Sequence, residues 1–294
     1  MTDAPAPPRW TRRTLLAGAL GFAALPRPAA AGPPARIAAL GGAVTEILYR
    51  LGAADRIAAV DTTSLYPAEA LREKPNVGYL RALSAEGLLS ARPDLVLAAE
   101  GAGPPDVLAL VREAGIPVVS VAEAPTEAGV IERILAVGRS AGLEREAAAL
   151  AAEVRADFAA LAEERRRIRQ PARALVVLSL QNGRVMAGGR NSTADGILTL
   201  AGAANAAAGI EGFKPMGDEA VIAAAPDAVV MMRTGHGAAT PESVFAQPAL
   251  SQTPAARRHA LVTLDGLLLL GFGPRTPQAA RELMRALYPD LPRG

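Results

Sequence analysis

The stretch EGLLSARPDLVLA, residues 86–98, decides the fold because the chain carries it twice. Residues 219–231 read EAVIAAAPDAVVM. Glu86 recurs as Glu219, Pro93 as Pro226, Asp94 as Asp227 and Val96 as Val229, all at one offset. Each copy runs from a short helical pattern through a Pro-Asp turn into an apolar strand. Further apolar runs lie upstream, ARIAAL at 35–40 and ARALVVLSL at 172–180, each leading into a glycine-bearing turn, Gly41-Gly42 or Gly183. A period this long means two copies of one α/β plan, not a solenoid of short units.

Working outward, residues 35–40, 57–61, 94–99 and 117–121 of the first copy read as strands, with amphipathic segments such as 43–51 and 104–114 between them. The second copy offers 173–180, 227–232 and 260–264. Short apolar runs alternating with helical patterns predict parallel βαβ units. Residues 126–168 are rich in Ala, Leu, Glu and Arg, which are strong helix formers, with Gly142 as an interruption and Pro171 as the end. The expectation is an α/β protein of two Rossmann-like lobes with parallel sheets, residues 32–124 and 171–294. A long bridging helix within 125–170, in one or two pieces, joins them. A helix of about 25 residues spans roughly 37 Å. Ligands of such proteins sit between the lobes, outside the carboxyl ends of the strands.

Residues 1–31 read as a leader. In WTRRTLLAGAL (10–20) two arginines precede an apolar run, Leu15 to Leu25, and Ala29-Ala30-Ala31 fits a cleavage site. A run of about twelve apolar residues is short of the roughly 20 needed to span a bilayer. The pattern predicts a cleavable export signal of twin-arginine type. The leader holds Arg9, Arg12, Arg13 and Arg27 against Asp3, so the formal charge of +2 belongs to it and the rest is near neutral. Nothing in that balance points to nucleic acid. The chain has no cysteine, which excludes disulfides, zinc–thiolate and iron–sulfur sites, a cysteine nucleophile and a lipidated cysteine. The expected product is a soluble periplasmic monomer. It carries no G-x-S-x-G, H-E-x-x-H or Walker loop, so it is not expected to be an enzyme. His236 and His259 lack partners at metal-ligand spacing and read as surface residues.

The stretch NVGYLRALSAEG, 76–87, is of another kind. Asn76-Val77-Gly78 is turn chemistry, and such turns carry sites. A phenolate binds ferric iron, as tyrosine does as an axial haem ligand. The free phenol has a pKa of about 10, so ionisation at neutral pH needs the metal, helped by a nearby guanidinium. Arg81 stands two residues on, which in an extended loop places it on the same side as Tyr79. The residues alone leave two readings of Tyr79: a half-buried tyrosine at a lobe edge, or an iron ligand.

Several segments together resemble the haem-binding proteins of bacterial haem ABC importers. They are RIAALGGAVTEILYRLGAADRIAAVDTTSLYP, NVGYLRALSAEGLLSARPDLVLA, GAGPP, GRNSTADGILTLAGAANA, GFKPMGDEAVIAAAPDAVVMM and LLLLGFGPRTPQAARELMRALYP. The paired-lobe pattern is shared with cobalamin and siderophore binders, which supply the alternative function; the tract from Asp61 to Glu86 resembles the haem branch.

The resemblance implies haem b as transported ligand, with Tyr79 on the iron and Arg81 supporting the phenolate. Tyr66, before Pro67, is the rival ligand and reads as a pocket wall. Gly103 and Pro104 would form a loop over one haem face. Phe272 and Arg275 would belong to a second loop from the other lobe, with Arg275 either meeting a propionate or solvated ahead of a helix. Some relatives place a histidine where this chain has Asn191, Ser192 and Thr193, which favours one five-coordinate haem here; His236 is the remaining candidate for a sixth ligand. Glu86 and Glu219, each opening a short helix, either complement its dipole or dock the two subunits of an inner-membrane ABC permease. An outer-membrane haem receptor would lie upstream.

Overall fold

A computed structural model describes residues 2, 32–181, 184–233 and 239–292. The predicted leader, apart from residue 2, and His236 therefore lie outside the described residues. In the first half the chain runs through β1 (Ile37–Leu40), α1 (Gly42–Arg50), β2 (Ile57–Val60), α2 (Glu69–Glu73), β3 (Gly78–Tyr79), β4 (Ala82–Leu83), α3 (Ala85–Ser90), β5 (Leu95–Ala99), α4 (Pro105–Glu113) and β6 (Val118–Val121). The predicted strands pair in the order β2-β1-β5-β6, all parallel. β1 and β2 are buried along their whole length, as strands covered on both faces must be. β3 and β4 stand apart as a small antiparallel hairpin.

The segment expected to bridge the lobes is two helices, α5 (Glu127–Ala141) and α6 (Glu144–Arg165). Thr126 caps the first by accepting from the Gly129 N–H. Gly142 ends it in the left-handed region at φ 67°, and the Leu143 N–H returns to the Gly138 carbonyl. Of the one or two pieces expected, the structure has two, broken at Gly142. The 22 residues of α6 span about 33 Å. Glu153 of α6 pairs with Arg50 of α1, and Glu164 near its end pairs with Arg281. This helix therefore touches the elements of both sheets.

The second half contains β7 (Arg173–Gln181), β8 (Arg184–Gly188), α7 (Thr193–Leu200), β9 (Ala204–Asn205), β10 (Phe213–Met216), α8 (Asp218–Ala224) and β11 (Ala228–Arg233). It continues with α9 (Pro241–Phe245), α10 (Pro248–Ser251), α11 (Pro254–Arg257), β12 (Leu261–Asp265), α12 (Gly266–Leu270) and α13 (Thr276–Leu287). The predicted strands β7, β11 and β12 are parallel. The sheet as a whole is mixed, which corrects the expectation of two parallel sheets: β8 runs antiparallel to β7, and β10 antiparallel to β8.

One buried cluster runs from Ile37 and Val44 through Ile134 and Phe158 to Val176 and Met284, so the two sheets share a continuous core. Smaller clusters cover the outer face of each sheet. Among the described residues no helix is long and apolar enough to cross a membrane.

Candidate functional site

Tyr79 sits on the β3–β4 hairpin, where Gly78 faces Leu83 and Tyr79 faces Ala82. Leu80 and Arg81 are the turn between them. Arg81 is thus at the hairpin tip, which corrects the extended-loop argument for placing it beside Tyr79; closing a two-residue turn reverses the chain there. Both side chains are exposed, Tyr79 at 48%. That exposure is unusual for a tyrosine on a segment whose backbone is fixed on several sides.

The fixing is specific. The Gly78 carbonyl accepts from the Thr62 N–H at 2.9 Å. Gly103 donates its N–H to the Leu80 carbonyl and accepts from the Leu83 N–H, both at 2.9 Å. The Asn76 side chain accepts from the Gly78 N–H. Gly78 has φ 101°, and a Cβ there would lie 2.9 Å from the Ala82 carbonyl oxygen, so only glycine fits this turn. Gly103 is buried and acts through its backbone, while Pro104 is exposed as the cap of α4. Of the loop expected over one haem face, Gly103 braces the hairpin and Pro104 is the exposed residue.

The carboxyl ends of β1 and β2 are joined by Asp61, which is fully buried. Its carboxylate accepts from the Gly41 N–H at 2.7 Å, the Thr63 N–H at 2.9 Å, the Thr63 hydroxyl at 2.7 Å and the Ser64 hydroxyl at 3.2 Å. Thr63 Oγ1 accepts in turn from the Gly42 N–H at the start of α1. A buried carboxylate with this many donors is satisfied. The network fixes the loop that ends in Tyr66, which is 41% exposed, and Thr62 in that loop holds the Tyr79 hairpin.

Arg275 is mostly buried and paired, which corrects the solvated alternative. Its Nε and Nη2 donate to Oε1 and Oε2 of Glu46, both at 3.0 Å, and Glu46 is only 3% exposed. Its Cζ lies 3.5 Å from the centre of the Tyr66 ring. Phe272 is 1% exposed and belongs to the shared core, so the expectation that it walls a ligand is corrected. The same loop is clasped by Arg133 of α5, whose Nη1 donates to the Gly271 and Phe272 carbonyls at 3.0 Å. Burial pulls the Arg133 pKa below its ordinary value, opposed by Glu123 at 3.4 Å.

Asn191 is exposed at φ 58°, and its amide donates to Glu211 at 3.2 Å. It borders a cavity of about 350 Å³ lined also by Pro125, Glu127, Ser192 and Asp195. Among the described residues no hydrogen bond ties it to the Tyr79 hairpin. Glu86 and Glu219 are exposed, each the second residue of its helix, α3 and α8. Ser84 caps α3 through the Gly87 N–H. His259 is exposed and meets Phe245 edge-on at 6.4 Å. Among the described residues no three His, Cys, Asp or Glu side chains are grouped to hold a metal ion.

Sequence reasoning missed Glu46, Asp61 and Arg233. Glu46 lies opposite the stripe of Val44, Ile47 and Leu48, so its spacing reads as a solvent-facing charge; it is buried because α1 is covered on all sides from Gly42 to Leu48. Arg233 is exposed at the carboxyl end of β11, in register with Asp265, where ligands of open α/β sheets approach.

The family model described as periplasmic binding protein matches residues 37–267. The fold is similar to the periplasmic heme-binding protein RhuT from Roseiflexus sp. RS-1 in apo form. The TM-score is 0.82 and the identity 39%, covering 86% of this chain and 98% of that one. It is equally similar to the periplasmic heme-binding protein BhuT in complex with two hemes, with TM-score 0.82 and 39% identity over 87% of this chain and 99% of that one. A vitamin B12-binding protein of Vibrio cholerae is 37% identical over 83 residues, which is 28% of this chain and 30% of that protein.

Proposed function

We propose that this chain, which belongs to the periplasmic binding protein family, captures haem and presents it to an inner-membrane ABC importer. The observation that carries the reading is the exposed phenol of Tyr79 on a hairpin braced by Thr62, Gly103 and Asn76. A rigidly held, accessible phenol with an arginine at the same hairpin tip is what a ferric porphyrin needs for an anionic axial ligand. The heme-binding proteins RhuT and BhuT support it, at 39% identity over nearly their whole length.

In this reading Tyr79 binds the iron of haem b as phenolate, Arg81 favours the anion, and Tyr66 walls the pocket. One haem is bound, five-coordinate, since residues 191–193 offer no histidine. Glu86 and Glu219 meet the two halves of a permease dimer, because equivalent helix positions in a duplicated fold suit a two-fold partner. The chain is exported by its leader, works as a soluble periplasmic monomer, takes haem that an outer-membrane receptor has admitted, and catalyses no reaction. The second reading is a cobalamin carrier, favoured by the vitamin B12-binding relative. Titration of the purified protein with hemin and with cyanocobalamin separates the two. Saturable uptake of hemin at one per chain, undisturbed by excess cobalamin, is expected; uptake of cobalamin alone overturns the haem reading.

A further inference from the structure

We propose that Glu46 and Arg275 are positioning residues that hold the Tyr66 ring as a fixed wall of the haem site, and that Arg275 acts on the haem through that ring. The inference rests on the haem reading above and goes beyond it by assigning the loop from the second half of the chain a different task.

The guanidinium offers a carboxylate two forks, side-on through Nε and Nη2 and end-on through Nη1 and Nη2, and Glu46 occupies the side-on one at 3.0 Å on both sides. Glu46 is 3% exposed on α1, whose Val44, Ile47 and Leu48 lie in the core shared by both sheets. A propionate taking that fork would leave the Glu46 carboxylate buried and unpaired, a costly exchange. The pair also fixes the plane of the guanidinium. That plane lies against Tyr66 at 3.5 Å, within the range of a cation–π stack. One face of the ring is thereby covered, and the 41% of Tyr66 that stays exposed belongs to the rest of it.

Arg275 and Glu46 are 229 residues apart in sequence, Glu46 on α1 of the first half and Arg275 at the start of α13 of the second. The wall is therefore carried by the first half and held by the second. Tyr66 and Tyr79 lie on loops joined by the Thr62–Gly78 hydrogen bond, so holding one ring sets its relation to the other. The Arg133 clasp on Gly271 and Phe272 keeps the loop that carries Arg275 in place.

The test measures haem dissociation, by transfer to apomyoglobin, for the wild type, Tyr66→Leu, Arg275→Met and their double variant. Each is loaded with hemin and, separately, with hemin dimethyl ester, which has no free carboxylates. Arg275→Met is expected to speed loss of either ligand by the same factor, roughly tenfold for a desolvated stack, and to add nothing in the Tyr66→Leu background. Arg275→Lys keeps the charge without the planar stack and should fall between. Should Arg275→Met fold poorly with Glu46 unpaired, Glu46→Gln/Arg275→Met removes both charges and is expected to show the same factor with both ligands. An Arg275 effect that disappears with the dimethyl ester makes it a propionate partner and overturns the inference. So does full additivity with Tyr66→Leu. Wild-type protein that takes up no hemin overturns the haem reading itself, and this inference with it.

Discussion

Replacing Glu46 by Gln tests how much the buried pair holds. The substitution keeps the shape of the side chain and removes its charge. Glu46 is 3% exposed and Arg275 is 18% exposed, and two hydrogen bonds of 3.0 Å join them. Breaking a buried pair from one side costs about 3–5 kcal/mol, because the remaining charge stays desolvated. Arg275 keeps its contact with Tyr66 and some water, so about 3 kcal/mol, the lower end, is expected. With a urea m-value of about 3 kcal/mol/M, at the upper end of the small-protein range, the midpoint falls by about 1 M. Far-ultraviolet circular dichroism is the suitable probe, since the only tryptophan is Trp10, within the expected leader. Glu46→Gln/Arg275→Met should return to within about 1.5 kcal/mol of the wild type, since removing both charges relieves the penalty. A Glu46→Gln midpoint within about 0.2 M of the wild type would place the pair with exposed salt bridges, worth about 0–1 kcal/mol, and refute the reasoning.

Gly78→Ala forces a side chain onto φ 101° and against the Ala82 carbonyl, so it should cost about 1–2 kcal/mol and weaken hemin binding in the folded protein, read by titration. Tyr288→Phe loses a donation to Gly202 at 2.7 Å and an acceptance from Ala172 at 2.9 Å, and should cost about 1–3 kcal/mol. Tyr49→Phe removes a buried hydroxyl with no partner among the described residues, so urea melts should show it neutral or slightly stabilised. Burial raises the pKa of both tyrosines above the ordinary value, so the folded state resists their ionisation. Their contribution is complete below about pH 10 and is lost as pH rises beyond it, which melts in alkaline buffers check. Glu86→Ala with Glu219→Ala should abolish transport into proteoliposomes carrying the permease while leaving hemin affinity unchanged; lost affinity would contradict the separation of docking from binding.

The duplication at 86–98 and 219–231 made the two-lobed plan legible, because Pro-Asp turns and apolar runs are local signals and the strands they predict lie where expected. β8 and β10 were harder to read. β10 is FKPM, with exposed Lys214 and Pro215 and no alternation to betray a strand. The sequence signal for β8 was the Asn182-Gly183 pair between two apolar runs, a common hairpin dipeptide. Gly142 was legible as a break because the segment around it is otherwise made of strong helix formers.

The site divides in the same way. Tyr79 on its glycine-led turn was readable, since turn residues act locally. The roles of Gly103, Phe272 and Arg275 were not, because each depends on contacts far away in sequence. Gly103 braces a hairpin some twenty residues upstream through its backbone. Phe272 looked like a loop residue between two glycines but is drawn into the core. Arg275 looked free until Glu46 met it across 229 residues. The misplaced extension at Arg81 came from reading a two-residue hairpin turn as an extended loop.

The central claim is that Tyr79 binds the iron, and the absorption spectrum of the hemin-loaded Tyr79→Phe variant tests it most directly. Wild type and Tyr66→Phe are predicted to give a high-spin ferric spectrum with tyrosinate ligation, and Tyr79→Phe to lose or shift it. A Tyr79→Phe spectrum identical to the wild type would contradict the claim.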